Sequence, residues 1–298
     1  MSLRLLLPEE GVKELMTTWP DEPRVYQRDV DQLDHVVKLL DAYMETGCAP
    51  ASEIAVVRAP NPSLNPLVFQ TNGRTDPAKL RKLYESGHTV RLGNLQRVMP
   101  LMADISHGIQ QETGYSNYIH AFVTPSGEQG LRHHWDQQMA VIVQLEGVKR
   151  WQLWKPPVEA PMREFNESWR VWKQEYIPTW EAAGPDLEIH LEAGQSMLLP
   201  RGWVHNPAVL DTNERSVHLT FAIRERTPFW IAERLVQDAI KDPEFRRVIL
   251  PEQLKDEGLA HEVSAVREGI IRYFQQLDPA AVAGVLRDAS LTELEYTT

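Results

Sequence analysis

The most constraining feature of the sequence is a change of hydrophobic period near Asn117. Before this residue, apolar side chains recur at helical spacing, as in the segment VDQLDHVVKLLDAY at positions 30–43. After it, short segments alternate with a period of about 2, which is typical of strands. These segments are YIHAFVT, HWDQQMAVIVQL, KRWQLW, LEIHL, QSMLLP and SVHLTFAI. Several short strands in succession favour an antiparallel barrel or sandwich over a parallel sheet.

Helical segments flank this strand-rich region on both sides. In the best marked one, Asp76 is the expected N-cap, Pro77 occupies the first helical position and Gly87 follows the end. A later helix contains Pro100, which is expected to kink or shorten it. The predicted division has three parts, which are an N-terminal helical lead-in over 1–115, a barrel over 116–227 with an insertion at 155–186, and a C-terminal helical region over 228–298.

Charge and cysteine content exclude several classes of protein. Lys and Arg number 31 against 42 Asp and Glu, a net charge of -11, so the surface repels a phosphate backbone and we expect no nucleic-acid partner. No run approaches the roughly 20 apolar residues of a membrane span, so we expect no membrane partner. Cys48 is the single cysteine, which excludes an internal disulfide and fits a reducing cytoplasm. We expect it to be buried as a small apolar side chain.

The insertion at 155–186 is rich in tryptophan and proline. It lies within the stretch 135–203, which contains seven of the nine tryptophans of the chain. A long loop inside a compact domain is usually functional or disordered, and its aromatic content favours the functional interpretation. The tryptophans then either wall a cleft, with the insertion as a lid or substrate wall, or pack the barrel.

Polar residues with metal-binding chemistry stand at the head of one predicted strand, in HHWDQQ. Alternate residues of a strand project to the same face, so His134 and Asp136 point together and His133 points away as a structural or rim residue. Because His134 and Asp136 share a face, one imidazole nitrogen and one carboxylate oxygen converge at this end of the strand. At its other end, the turn at Glu146 and Gly147 is expected to return the chain as a β-hairpin.

A third ligand is expected from a distant strand. The segment LEAGQSMLLPRGWVHNP places His205 after a strand and a Pro-Arg-Gly turn. Two histidines and one carboxylate on a β scaffold form the facial triad of non-haem Fe(II) oxygenases. Zinc uses similar ligands, and a short His-x-Asp motif is weak evidence by itself, so the triad alone leaves the metal open.

The wider sequence resembles a known family. TPSGEQG, the His-x-Asp pair, VQLEGVKRW, LLPRGWVH and SVHLTF follow one another in the chain. In this order they resemble the motifs of JmjC-type cupin oxygenases of the ribosomal oxygenase group, and the resemblance covers roughly residues 15–225. It implies a double-stranded β-helix core with helices at both ends. It also implies an enzyme that uses Fe(II), 2-oxoglutarate and O2.

The resemblance assigns roles to particular residues. His134, Asp136 and His205 are the implied iron ligands. Lys149 stands where the family places the basic residue that binds the distal carboxylate of 2-oxoglutarate. A fixed cation opposite the metal suits a bound dianion.

Two positions depart from the family pattern. Relatives usually have Asn and Tyr helping to hold 2-oxoglutarate where this chain has His120 and Phe122. His120 either replaces the Asn as a hydrogen-bond donor or packs as a structural histidine, and Phe122 cannot donate the hydrogen bond of the tyrosine. His218, in the SVHLTF strand, is either a hydrogen-bonded core histidine or part of the site.

The implied substrate is a protein or peptide, hydroxylated at the β-carbon of a side chain, with histidine or arginine as the residues that relatives modify. An acidic surface suits a basic peptide. Two alternatives stay open, which are a biosynthetic hydroxylase of a small molecule or precursor peptide, and a non-catalytic metal-binding cupin module. The helical tail after Pro228 is expected to support a homodimer.

Overall fold

The computed structural model describes residues 1–29, 32–162 and 176–294. Met1–Arg224 belongs to one compact unit and Glu225–Glu293 to a second. The strands are β1 (Arg24–Gln27), β2 (Ile54–Val57), β3 (Gln70–Thr71), β4 (Arg74–Thr75), β5 (Thr89–Leu92), β6 (Asn117–Thr124), β7 (Met139–Glu146), β8 (Val148–Trp154), β9 (Leu187–Glu192), β10 (Gln195–Leu199), β11 (Val204–Val209) and β12 (Ser216–Ile223). The helices are α1 (Glu9–Thr17), α2 (Val36–Thr46), α3 (Pro77–Glu85), α4 (Leu95–Val98), α5 (Pro100–Thr113), α6 (Tyr176–Ala183), α7 (Pro228–Asp238), α8 (Asp256–Gln276) and α9 (Pro279–Thr292).

The strands form two larger antiparallel sheets and one small ribbon. The major sheet has the order β1-β10-β7-β12-β6-β5-β2, and the minor sheet has the order β11-β8-β9. The remaining pair, β3 and β4, forms the ribbon. The predicted antiparallel architecture is therefore confirmed.

Strand β6 shows how the major sheet separates an apolar core from a polar cavity. Ile119, Ala121 and Val123 are fully buried on one face, in a core that also contains side chains of α2, α3 and α5. Burying an apolar side chain of this size stabilises the fold by roughly 1.5–3 kcal/mol. The alternate residues His120 and Phe122 line a cavity on the other face. The period of 2 thus fixes which side chains can reach the site.

The β-hairpin predicted at Glu146 and Gly147 is wrong. Strand β7 pairs with β10 and β12 in the major sheet, whereas β8 pairs with β9 and β11 in the minor sheet. The chain therefore crosses from one sheet to the other at this turn. Gly147 permits the crossing, because its φ is 66° and a Cβ there would overlap the carbonyl oxygen of Arg215. A turn signal between two strand patterns indicates a reversal but does not identify the hydrogen-bonding partner.

The first third of the chain contains more strand than the sequence predicts. Strands β1, β2 and β5 come from this region and join the major sheet, with β1 at one edge and β2 at the other. Each has only four residues. A segment this short shows too few alternations for its period to be recognised, so the helical pattern of the neighbouring segments dominates the prediction.

The predicted helix boundaries in this region are found. The side chain of Asp76 accepts hydrogen bonds from the backbone N–H groups of Ala78 and Lys79, at 3.0 and 3.2 Å, and so caps α3. The next helical segment is divided at Pro100 into α4 and α5. Gly114 ends α5 in the left-handed conformation, with a φ of 73°.

The single cysteine does not have the environment expected from the sequence. Cys48 is exposed, not buried as predicted, because it follows Gly47 in the turn that ends α2. The hydroxyl of Thr46 donates a hydrogen bond to its sulfur at 3.0 Å. Among the helices that the structure describes, none is both long and apolar enough to cross a membrane.

The second compact unit contains α7, α8 and α9. The carboxylate of Glu293 pairs with Arg226 and with Arg234, each at 2.9 Å. Several large apolar side chains of the unit remain exposed, among them Val263 at 61% and Val236 at 50%. The helical character predicted for 228–298 is thus found over the described part of this region. The three-part division of the chain stays a prediction.

The crossing at Gly147 gives a testable effect on stability. We expect Gly147→Ala to lower the free energy of unfolding by about 2 kcal/mol or more, because it adds both left-handed strain and an overlap with the backbone of Arg215. Gly184→Ala is a matched control, since Gly184 has a φ of 74° but no atom within 4 Å of an added Cβ. Urea unfolding of both variants checks the difference. Equal losses would show that the overlap is relieved without cost.

Candidate metal centre

The two predicted histidine ligands are joined through their backbones. The N–H of His134 donates to the carbonyl of His205 at 3.2 Å, and the N–H of His205 donates back at 2.8 Å. The N–H of Gly202 donates to the carbonyl of Asp136 at 2.8 Å. His134 forms an isolated bridge before β7 begins at Met139, so the predicted strand starts later than its pattern suggested. Backbone hydrogen bonds thus bring the two ligand segments together.

The side chains of His134, Asp136 and His205 converge on one point. One ligand atom from each lies within 4.8 Å of the others, and the Nε2 of His205 lies 3.8 Å from the Oδ2 of Asp136. The two imidazole rings have centroids 4.0 Å apart. His205 is buried, whereas the side chain of Asp136 is 35% exposed. The cluster therefore has a buried side and a side that opens towards the cavity.

Backbone carbonyls set the orientation of both imidazoles. The Nδ1 of His134 lies 2.6 Å from the carbonyl oxygen of Arg132, and the Nδ1 of His205 lies 3.0 Å from that of Trp203. A carbonyl can only accept, so each Nδ1 carries the proton and each lone pair lies on Nε2. Two neutral imidazoles and a carboxylate held in this way fit a divalent transition metal.

A cavity of about 790 Å³ lies between the two sheets and includes the cluster. The major sheet contributes side chains of β5, β6, β7 and β12, and the minor sheet contributes side chains of β8 and β11. Trp151 lies on its minor-sheet side, with its ring centroid 5.8 Å from that of His205. A cavity of this size, with polar groups that converge at one end, suits a small ligand.

Lys149 lies in this cavity and is almost completely buried, with 3% of its surface exposed. Its Nζ donates to the hydroxyl of Thr124 at 3.1 Å, and the hydroxyl of Thr89 donates to the same oxygen at 3.0 Å. No carboxylate among the described residues pairs with it. Burial lowers the pKa of Lys149 to about 7. The ammonium is therefore held without a counter-ion in a position where an anionic ligand would stabilise it.

His120 and Phe122 both line the cavity on β6. The Nδ1 of His120 accepts a hydrogen bond from the backbone N–H of Asn94 at 3.2 Å. Phe122 stacks on His218, with ring centroids 4.9 Å apart and an interplanar angle of 10°. Contact of either residue with 2-oxoglutarate stays a prediction.

The other two histidines of the sequence motifs lie outside the cluster of three. His133 is buried between Trp154 and Trp180, at ring-centroid distances of 4.8 and 6.1 Å. His218 is buried, and burial, followed by the nearby Lys149, lowers its pKa well below the usual range. Both side chains nevertheless line the cavity, and burial favours their neutral forms.

The end of the predicted insertion borders the metal centre. Residues 163–175 of the insertion lie outside the described residues. Helix α6, which follows them, places Trp180 beside His133, and the carbonyl of Trp180 accepts from the indole N–H of Trp154 at 3.0 Å. Glu181 lies 3.7 Å from Arg132. This part of the insertion thus packs against the loop that carries two of the candidate ligands.

Sequence reasoning did not identify Thr89 and Arg91 as cavity residues, nor Thr124 as the partner of Lys149. Thr89 and Arg91 are alternate residues of β5 that face the same side. Thr124 is the last residue of β6 and follows the parity of His120 and Phe122. The alternation of residues along each strand could have identified them, but this pattern can be used only when β5 is known to be a strand.

Comparison with known proteins agrees with this geometry. Residues 92–228 match the JmjC domain family. This segment of the chain is therefore similar to a JmjC domain. Ribosomal oxygenase 1 from Gallus gallus is 27% identical over 229 residues, which are 74% of this chain and 37% of that protein. The bifunctional lysine-specific demethylase and histidyl-hydroxylase NO66 from Dictyostelium discoideum is 34% identical over 158 residues, 52% of this chain and 29% of that protein. The chain thus spans well under half of these relatives.

Solved structures share the fold of almost the whole chain. Escherichia coli ycfD has a TM-score of 0.59 at 13% identity, with 98% of this chain and 74% of that chain covered. The structure of YcfD, a ribosomal oxygenase from the same organism, in complex with cobalt and 2-oxoglutarate has a TM-score of 0.58 at 13% identity, with 98% and 73% covered. The predicted cupin fold with helices at both ends is therefore confirmed.

The buried position of Lys149 gives a testable dependence of stability on pH. Because its pKa is about 7 in the fold and about 10.4 in an unfolded chain, the unfolded state binds more protons between these values. The burial cost is therefore fully present below pH 7 and declines as pH rises. We expect Lys149→Met to stabilise the ligand-free protein by more at about pH 6 than at about pH 9.

Urea unfolding at the two pH values measures this difference. Lys82→Met is the control, since Lys82 is exposed on α3 and its replacement should change stability little at either pH. A Lys149→Met variant that is less stable than the wild type at about pH 6 would contradict the burial cost.

Proposed function

We propose that the protein is an Fe(II)- and 2-oxoglutarate-dependent oxygenase that hydroxylates an amino-acid side chain at its β-carbon. The convergence of His134, Asp136 and His205, with the lone pairs of both histidines directed by backbone carbonyls, carries this proposal. Two nitrogens and one oxygen on one side of a metal leave positions for a cosubstrate and oxygen. The JmjC domain and the hydroxylases among its relatives support it.

The residues of the chain hold and shield the reacting groups. His134, Asp136 and His205 would hold the metal. When bound, Fe(II) with 2-oxoglutarate and O2 supplies the oxidation that replaces a C–H bond of the substrate by C–OH and converts 2-oxoglutarate to succinate and CO2. Trp151, Phe122 and the buried strands around them exclude water from this end of the cavity.

Lys149 would bind the distal carboxylate of 2-oxoglutarate. Its Nζ is fixed by Thr124, which is itself fixed by Thr89, so the position of the cation is set before the ligand arrives. Burial makes the charged form of the lysine costly in the empty cavity. A bound carboxylate offsets this cost by forming an ion pair with the ammonium, so burial of Lys149 favours binding of an anion.

The substrate is proposed to be a protein or peptide. The names of the relatives, ribosomal oxygenase and histidyl-hydroxylase, support a protein substrate. The net charge of -11 supports the absence of a nucleic-acid partner. A small molecule or precursor peptide is the alternative substrate, and a metal-binding module without turnover is the alternative function. A cytoplasmic location stays a prediction.

The proposal is tested by metal binding and by turnover together. We expect His134→Ala, Asp136→Ala and His205→Ala each to abolish succinate formation from Fe(II), 2-oxoglutarate and O2, and to weaken binding of Fe(II) under anaerobic conditions by about tenfold or more, because each removes one of three ligands. His190→Ala is the matched control, since His190 is exposed on β9 beside Glu188 and lies outside the cavity.

Succinate with a peptide pool that gains one oxygen supports the peptide hydroxylase, and succinate without a modified peptide moves the substrate to small molecules. Bound iron without succinate favours the metal-binding module. A ligand variant that keeps both normal metal affinity and normal turnover removes that residue from the centre.

The second compact unit is proposed to form a homodimer. Its exposed apolar side chains include Val263 on α8 and Phe229 and Val236 on α7. Contiguous apolar surface on a folded unit marks an interaction site, and a second copy of the chain would cover it.

We expect a dimer in sedimentation velocity, and we expect Val263→Asp to shift it to a monomer because the new carboxylate would be buried at the interface. His261→Asp, which adds the same side chain at another exposed position of α8, should leave the dimer intact. A wild-type monomer would contradict the proposal.

A further inference from the structure

The charges that line the cavity are unbalanced. Arg91, Arg97, Arg132 and Lys149 are the cationic side chains of the lining described, and Glu53 and Asp136 are the anionic ones. The excess is therefore two positive charges, in a chain whose net charge is -11. A cavity with walls of low dielectric constant concentrates the field of such groups, so the excess acts on any ligand that enters.

The proposed cofactors account for only two of these side chains. Asp136 would bind the metal, and Lys149 would pair with the distal carboxylate of 2-oxoglutarate. The charges of a divalent metal, one carboxylate ligand, a dianion and one ammonium add up to a net charge of zero. The positive excess therefore remains on the wall of the cavity that the cofactors do not occupy.

Two of the three arginines on this wall already have acidic partners. The carboxylate of Glu53 accepts from the side-chain amide of Asn94 at 2.8 Å and pairs with Arg97 at 3.3 Å. Arg132 lies 3.7 Å from the carboxylate of Glu181. In the part of the chain that the structure describes, Arg91 is the lining arginine with no carboxylate at ion-pair distance.

Arg91 is placed to meet a ligand. It lies on β5 directly opposite Phe122 of β6, on the face of the sheet that lines the cavity. Its Nε is buried and has no hydrogen-bond partner among the described residues. Burial lowers its pKa, and the nearby Tyr118 and Glu53 act in the opposite direction.

A buried guanidinium nitrogen without a hydrogen-bond partner is costly, and this cost favours a ligand that supplies one. The planar fork of an arginine matches the two oxygens of a carboxylate better than it matches any neutral group. Arg91 faces the same cavity as the candidate metal ligands and thus could hold one end of a substrate while another part reaches the metal.

We propose that Arg91 binds a carboxylate group of the substrate. This inference rests on the proposed function and specifies its substrate class: a molecule that carries an acidic group near the hydroxylated carbon, not the basic histidine or arginine side chain expected from the resemblance. The carboxylate has two sources, which are an acidic side chain within a peptide and the free carboxyl end of a peptide or amino acid.

Four matched probes distinguish the charge and its source. N-acetylglutamate amide carries only a side-chain carboxylate, N-acetylglutamine only a terminal carboxylate, N-acetylglutamine amide neither, and N-acetylarginine amide a cation. Their dissociation constants are measured by saturation-transfer NMR on protein loaded with Zn(II) and 2-oxoglutarate, which support no turnover. The bound 2-oxoglutarate occupies Lys149, so a preference for a carboxylate reports on the remaining wall.

We expect at least one carboxylate probe to bind about tenfold or more tightly than N-acetylglutamine amide, since a charge-assisted pair contributes that much. The preferred probe identifies the source of the carboxylate. Arg91→Met should remove the preference, and Arg91→Lys should keep part of it. Arg81→Met, on the exposed face of α3, is the control and should keep all of it.

Glu53→Gln tests the inference through an expected gain of binding affinity, not a loss. Removing the negative charge next to Arg91 should tighten binding of the carboxylate probe, which damage to the fold would not do. Equal binding of charged and neutral probes, tightest binding of N-acetylarginine amide, or binding of no probe would overturn the inference.

Succinate formation by the Fe(II)-loaded wild type, measured in parallel, separates the two proposals. Succinate without a carboxylate preference rejects Arg91 as an anion site and leaves the oxygenase. A carboxylate preference without succinate leaves the anion site and rejects the oxygenase.

Discussion

The site depends on the pair of backbone hydrogen bonds between His134 and His205. These bonds involve only main-chain atoms. They therefore hold the two segments that carry the imidazoles side by side, independently of the side chains. The strand that carries His205 also fixes the position of Lys149, since β11 pairs with β8 so that His205 lies opposite Leu153 and Val209 opposite Lys149. Four residues along a strand correspond to about 13 Å. The separation of His205 and Lys149 along the cavity is thus a property of strand register.

The fold was predictable where its pattern is long and strong. The alternation in SVHLTFAI matches β12 from Ser216 to Ile223, and Asp76 caps α3 as its position before Pro77 suggests. The pairing of strands was not predictable, because hydrogen-bond partners far apart in the chain leave no trace in local periodicity. Strand β11 was missed for a related reason, since it contains Pro207 and follows a turn that obscures its start.

The candidate site was predictable where chemistry restricts residue type. Two histidines and an aspartate on strands match the ligand set of non-haem Fe(II) oxygenases, and Lys149 lies in a motif that resembles the family. Arg91 and Thr89 could not be found in this way, because arginine and threonine are common on exposed strands. Only the packing of β5 against β6 turns them towards the cavity. Burial lowers the pKa of both Lys149 and Arg91, which is the property that the two proposed anion sites have in common.

The links between strands differ in whether they can tolerate an insertion, and the crossing at Gly147 is one that cannot. Gly147 is the whole link between β7 of the major sheet and β8, the central strand of the minor sheet. An added residue there would change the spacing of the sheets and the register of both strands. Strands β8 and β9 are neighbours within the minor sheet, so the length of the chain between them does not set the distance between the two sheets. Proteins built on this plan can therefore acquire new substrates by altering the length of that second link while the distance between the two sheets stays fixed.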